Sequence, residues 1–307
     1  EGTVLLSLTT RLGPVELRTP LVAASGTVGS VVEMAGVADL SVYGAAVAKS
    51  VSREPWPGRP APRLAPIGVG MLNGVGIQNP GIEAWVEEVG PRLANLEVPV
   101  WGSAVGTTTE EFAHVAEALA RAGVAAVEVN LSCPNLEGDG MFALDAGATR
   151  KVVEAVRHQV SVPVAAKLSP NAERIAGVAT AAAEAGADWV VLTNTVWGAG
   201  IDVGTRRPLL SGGIGGYSGA PLKPIALRCV MEVREALPDL PILGCGGIAT
   251  GRDVVEYLLA GASAVAIGTV HFAEPRAGRR ILGELRRECR RQGVETIVEL
   301  IGAVRPW

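Results

Sequence analysis

The 307-residue chain carries 27 Lys and Arg against 31 Asp and Glu, a net charge of -4, and is 48% hydrophobic and 19% charged. That balance excludes nucleic acid as the main partner, because phosphate binding needs a basic face, and it supplies enough apolar material for a sizeable buried core. Its uncharged stretches are broken by Gly, Asn or Pro, so none reads as a membrane span, and no basic segment followed by an apolar signal core opens it; the expectation is a soluble cytoplasmic protein.

In chain order, the opening segment "VLLSLTTRLGPVELR" has a Gly-Pro turn between two extended runs and predicts a hairpin across one mouth of the fold. Eight short runs rich in Val, Ile, Leu and Ala follow, at 19–26, 45–50, 98–106, 125–132, 162–169, 188–195, 240–247 and 264–269. They show little polar alternation, as expected of parallel strands buried on both faces. Between them lie amphipathic stretches such as "TEEFAHVAEALARAG", "ATRKVVEAVRHQV", "KPIALRCVMEVREAL" and "GRDVVEYLLAGA", which predict helices. The Pro- and Gly-rich stretch 51–80 predicts an extended loop after the second strand. With no linker composition between elements, residues 1–307 are read as a single (β/α)8 TIM barrel.

Chemistry in such a barrel sits at the C-terminal ends of the strands. Read in order, those ends give Ser25-Gly26, Lys49-Ser50, Ser103, Asn130 with Cys133, Lys167, Asn194-Thr195, Gly246-Gly247 and Gly268-Thr269. No His or carboxylate stands among them, which counts against a metal hydrolase or a two-carboxylate glycosidase. The Gly-rich turns "GCGGI" and "IGT" after strands seven and eight bring bare backbone to a position suited to a phosphate; alone, each also reads as a tight turn. Lys49 and Lys167 fit a Schiff-base nucleophile, a fixed positive charge or an ion-pair partner. Cys133 lies past its strand on a Gly-bearing loop, where a thiol can serve as nucleophile or general base; Cys229 and Cys245 read as packing residues, and Cys289, among charges on the last helix, as incidental. No two cysteines have C-x-x-C spacing, so neither a structural zinc nor an iron–sulfur cluster is expected on this chain.

The motifs "AAVAKS" (45–50), "NGVGIQNPG" (73–81), "NLSCPN" (130–135), "AAKLSPN" (165–171), "TNT" (193–195), "GYSGAPLKPIALR" (216–228) and "GCGGI" together resemble class 1 dihydroorotate dehydrogenase, in that family's order and over almost the whole chain. The resemblance implies an FMN-containing barrel that oxidises (S)-dihydroorotate to orotate in pyrimidine synthesis. Cys133 matches the family's catalytic base, where class 2 members have Ser. Lys49, Asn73, Gly74, Val75, Gly76, Ile77, Asn130, Asn135, Asn194 and Thr195 match substrate-contacting positions. Ser25, Gly26, Lys49, Ser50, Ser103, Asn130, Lys167, Thr193, Gly219, Gly246, Gly247, Gly268 and Thr269 match flavin-contacting positions, although related NAD-linked enzymes usually carry Asn where this chain has Ser103. The stretches "GIQNPG" and "GIDVGTRRPLLSGGIGGYSG" resemble the NAD-linked class 1B. For that subclass the resemblance implies a homodimer core and a partner subunit bearing FAD and an iron–sulfur cluster. A fumarate-linked class 1A enzyme, a dihydropyrimidine dehydrogenase-like enzyme and a non-redox Schiff-base aldolase are the alternatives. The dihydropyrimidine type typically has His where this chain has Asn135.

Overall fold

Strands without a polar face have no surface to offer water, and the computed structural model, which describes residues 6–132 and 140–306, closes them into a ring. A short antiparallel hairpin, β1 (Thr10–Leu12) and β2 (Val15–Leu17), comes first. The remaining strands are β3 (Leu21–Ala23), β4 (Ala45–Val47), β5 (Leu64–Ile67), β6 (Gly70–Asn73), β7 (Val100–Ala104), β8 (Ala126–Asn130), β9 (Val164–Lys167), β10 (Trp189–Leu192), β11 (Val196–Ala199), β12 (Ile201–Asp202), β13 (Arg207–Pro208), β14 (Ile214–Gly219), β15 (Ile242–Cys245) and β16 (Ala264–Ile267). Eight of these, β3, β4, β7, β8, β9, β10, β15 and β16, pair in parallel as a closed barrel, and each falls within one of the eight strand segments expected from sequence. The helices α1 (Ile82–Glu88), α2 (Thr109–Arg121), α3 (Ala146–Gln159), α4 (Ile175–Glu184), α5 (Lys223–Ala236), α6 (Gly251–Ala260), α7 (Val270–Ala273) and α8 (Ala277–Gln292) complete the chain. From α1 to α6 each packs on the next, and α8 lies against α6, giving the outer ring.

The period of two along each strand sorts its residues into two cores. Outward-facing Leu21, Ala46, Val127, Val129, Val190 and Val265 pack with the helices. Inward-facing Val22, Val47, Trp101, Ala126, Ala165, Trp189 and Leu243 fill the barrel together with Leu12 and Leu17 of the hairpin, which plugs the N-terminal mouth as expected. Large residues stand beside small ones across the ladder: Trp101 pairs with Ala126, and Trp189 with Ala165. The two indoles meet at 4.9 Å between ring centroids, tilted by 51°.

The excursion at 51–80 is more ordered than an extended loop. Its β5–β6 hairpin joins β14 and β11 in a four-stranded antiparallel sheet, ordered β11-β14-β6-β5. Ala65, Leu72 and Leu210 form a small core of their own beneath it. The sequence concealed this because the partner strands are about 140 residues apart and rich in Gly, so neither half shows alternation.

Between barrel and outer helices runs a directional polar chain. Tyr43 Oη donates to His271 Nε2 (2.8 Å), His271 Nδ1 meets Thr27 Oγ1 (2.9 Å), and Thr27 Oγ1 donates to the Ala24 carbonyl (2.9 Å). With the Thr27 hydroxyl proton spent on Ala24, Nδ1 is the donor to Thr27, and a ring kept neutral by burial then accepts from Tyr43 at Nε2. Burial pushes the His271 pKa down to about 4. In the unfolded chain His titrates near 6.5, so this contribution is present in full above about pH 6.5 and is lost as pH falls to about 4, some 3 kcal/mol in all. We expect the parent to lose about 2 kcal/mol more stability than His271→Gln between pH 7 and 5, read from urea midpoints. Equal losses would refute it.

Candidate active site

At the C-terminal ends of the barrel strands, under the four-stranded sheet, lies a cavity of about 680 Å³. Every barrel strand except β7 sends a residue to it, from its own end or from the loop beyond. Ser25 and Gly26 follow β3, and Lys49 and Ser50 follow β4; Asn130 ends β8 and Lys167 ends β9. Thr193, Asn194 and Thr195 follow β10, Gly246 and Gly247 follow β15, and Gly268 and Thr269 follow β16. The roof contributes Asn73, Gly74, Val75, Gly76, Ile77 and Gly219. Cys133 and Asn135 lie outside the described residues.

The amides are held in one orientation from below. The Thr195 N–H donates to Asn194 Oδ1 (2.8 Å), which turns Asn194 Nδ2 toward Asn130 Oδ1 (3.3 Å). Ser132 N–H also donates to Asn130 Oδ1 (3.3 Å), and Asn130 Nδ2 donates to Ser50 Oγ (3.0 Å). Ser50 shares a 2.8 Å hydrogen bond with Ser103. Ser103 itself is fully buried and does not line the cavity; it reaches the site only through Ser50. Among the described residues this leaves Asn130 one N–H, and Asn194 one N–H and one lone pair, for a ligand. Asn73 donates to the Gly216 carbonyl (3.3 Å) across the β6–β14 pairing.

The roof loop is bent and clamped. Gly76 has φ +71° and Ile77 φ +56°, a left-handed conformation that a β-branched residue adopts only under constraint. Buried Asn79 supplies the constraint: its Nδ2 donates to the Ile77 carbonyl (2.9 Å), and its Oδ1 accepts from Ser52 N–H (3.1 Å) and Gly81 N–H (2.9 Å). Asn79 lies within the quoted motif, yet its role is visible only once Ser52 is seen beside it.

The lysines differ from expectation in one respect. Lys167 has an acid beside it after all: Glu128 of β8, with Oε1 3.6 Å from Lys167 Nζ. Burial opposes the lysine's charge, but Glu128, with a smaller contribution from Cys245, more than offsets it and the Lys167 pKa is raised. Cys245 packs in the barrel core as expected and also lines the cavity; burial pushes its thiol up despite the pull of Lys167. Glu128 is not among the strand-end residues because it sits two residues inside the rim. Its parity with Ala126 and Asn130, both inward, was the available signal.

A bound anion would meet bare backbone at the β15 and β16 ends. Gly247 has φ +67°, and a Cβ there would lie 2.8 Å from the Gly219 carbonyl and the Lys223 N–H, so no side chain fits. Thr193 lines the cavity, and its Oγ1 is buried without a hydrogen-bond partner among the described residues. A roomy cleft with two ammonium groups, a side-chain-free wall and an unmet polar atom fits a flavin with a phosphate tail.

A family model described as Dihydroorotate dehydrogenase matches residues 7–289. The chain is 45% identical over 289 residues to the "Dihydroorotate dehydrogenase B (NAD(+)), catalytic subunit" of Desulforudis audaxviator, covering 94% of each chain. It is 43% identical over 299 residues to the protein of the same name from Geobacter sulfurreducens, covering 97% of this chain and 98% of that one. It is also 42% identical over 300 residues to the "Putative dihydroorotate dehydrogenase A (fumarate)" of Solibacter usitatus, with 97% and 98% covered. Matched along nearly all its length, by family and by relatives alike, this chain belongs to the dihydroorotate dehydrogenase family.

Proposed function

We propose that the chain is the catalytic subunit of an NAD-linked dihydroorotate dehydrogenase, oxidising (S)-dihydroorotate to orotate with FMN in this cavity. The observation that carries the reading is the convergence on one cleft of Lys49, Lys167 and the amides of Asn73, Asn130 and Asn194. Orotate is a flat anion edged with imide donors and acceptors. Asn pairs with such an edge without adding charge, while Lys49 supplies the counter-charge for its carboxylate.

FMN would be held by Ser25, Gly26, Lys49, Ser50, Asn130, Lys167, Thr193 and Gly219, with its phosphate at Gly246, Gly247, Gly268 and Thr269. When bound, it supplies the two-electron acceptor for the hydride that leaves C6. The chain's own task is the proton on C5. Cys133 follows Ser132, which lines the cavity, and is the base we assign to that proton. The amides fix the ring, so that proton and hydride leave from defined positions. Reoxidation is assigned to a partner subunit carrying FAD and an iron–sulfur cluster, because both the class 1B stretches and two of the relatives above point to NAD. The fumarate-named relative keeps class 1A as the second reading.

Three outcomes test the proposal. Heat-extracted chromophore from pure protein should be FMN in about equimolar amount; FAD, or no flavin after reconstitution, would falsify the cofactor assignment. The isolated chain should pass electrons poorly to both NAD and fumarate, and a co-purifying flavoprotein should restore NAD reduction. Rapid fumarate reduction by the chain alone would move it to class 1A. In stopped-flow experiments, flavin reduction by dihydroorotate should rise with pH as the thiol ionises, from a reference near 8.5. Cys133→Ala should slow that step by roughly 10²–10⁴ while FMN and orotate still bind. A parent-like rate in that variant would leave Cys133 an ordinary loop thiol.

A further inference from the structure

Beneath the cavity floor stands a buried carboxylate to which the proposed reaction gives no role. Glu128 is 2% exposed, and among the described residues its Oε1 has no hydrogen-bond partner. The 3.6 Å separation from Lys167 Nζ is too long for a hydrogen bond and short enough for a strong charge interaction in a dry interior. Lys167 lines the cavity and Glu128 does not, so the pair stands with its ammonium forward and its carboxylate behind.

The groups facing Lys167 are few. Glu128 comes from β8 and Cys245 from β15. β10, paired with β9, offers only Trp189 and Val191 to the interior, and β7 offers Trp101 and Ser103. Lys49 lines the same cavity and carries charge of the same sign. A lysine this buried, without an anion, sheds its proton more readily than one in water. Of the groups around Lys167, Glu128 is the one that opposes that loss most strongly.

We infer that Glu128 is a positioning residue: its carboxylate keeps the Lys167 ammonium charged and turned to the cavity, so that the flavin site presents a fixed cation at every working pH. This rests on the flavin reading above. The energetic logic is asymmetric. A buried ion pair need not stabilise the fold, but removing one partner leaves the other charge uncompensated. Glu128→Gln keeps the shape and removes the charge; Glu128→Asp keeps the charge.

The test measures FMN affinity of the reconstituted protein by flavin fluorescence from about pH 5 to about pH 9.5, a range that reaches down to where a fully buried, unpaired lysine titrates. The parent should hold FMN with little pH dependence. In Glu128→Gln the affinity should fall relative to the parent as pH rises, to about ten-fold weaker or more at the alkaline end, as Lys167 loses its proton. Glu128→Asp should follow the parent. The Lys167→Met/Glu128→Gln double variant buries no lone charge, so it should fold where Glu128→Gln alone does not and should show no alkaline fall relative to the parent. A Gln variant whose deficit is the same at every pH, or one that shifts the profile equally with and without Lys167, would overturn the inference. Failure of the parent to bind FMN at any pH would instead sink the flavin reading, and this inference with it.

Discussion

A closed parallel barrel has an interior that only side chains can fill, and the rest of this molecule follows from what fills it and where the filling changes. From the hairpin upward the inward row is apolar: Leu12, Leu17, Val22, Trp101, Trp189 and Leu243. One step higher the same row turns polar at Ser103, Glu128 and Lys167, and at the rim it becomes Ser50, Asn130 and Thr193. Polar groups that deep are tolerated only when something answers them. Hydroxyls answer the amides and a carboxylate faces the ammonium, while the Trp101 and Trp189 indole N–H groups, Glu128 Oε1 and Thr193 Oγ1 stay without a hydrogen-bond partner among the described residues.

The roof depends on the barrel and also constrains it. β14 approaches the segment after β10 closely enough that a Cβ at Gly216 would collide with Thr195 Oγ1, itself a residue of the site. The run of Gly at 212, 213, 215 and 216 therefore lets the small sheet descend onto the strand ends. Asn171 ties that descent to the barrel: its Nδ2 donates to Ser169 Oγ (2.8 Å) and the Thr195 carbonyl (3.2 Å), while its Oδ1 accepts from Trp197 N–H (3.0 Å). Trp197, half exposed at the cavity edge, is thus placed by its backbone rather than by packing.

The eight barrel strands were legible because runs such as "AAVEVNLS" and "VPVAAKLS" are apolar on both faces, and the site positions followed once strand ends were lined up. Most of those positions, including Lys49, Asn130, Asn194 and Gly247, do line one cavity. What escaped notice depended on pairing across strands. Ser103 looked like a rim residue in its own strand, yet its hydroxyl is spent on Ser50. Glu128 and Lys167 are 39 positions apart and become partners only because β8 lies beside β9. The roof sheet was hidden for the same reason, since β6 and β14 find each other across the whole barrel. Local pattern carries element type and parity; charge pairing and roofing are properties of register.

Two kinds of preorganisation therefore meet in one cleft, and they answer different demands. The amide chain from Thr195 through Asn194 and Asn130 to Ser50 and Ser103 fixes direction: reversing either amide would set like groups against each other at several points. Such a chain suits recognition of a ring whose edge alternates donors and acceptors. The Glu128–Lys167 pair fixes charge instead, in surroundings where a lone ammonium would be lost to solvent competition for its proton. Because the carboxylate sits below and the ammonium at the wall, the pair is neutral to the barrel core and cationic to the cavity. The polar layer can therefore be buried under a cofactor without leaving an uncompensated charge in the interior.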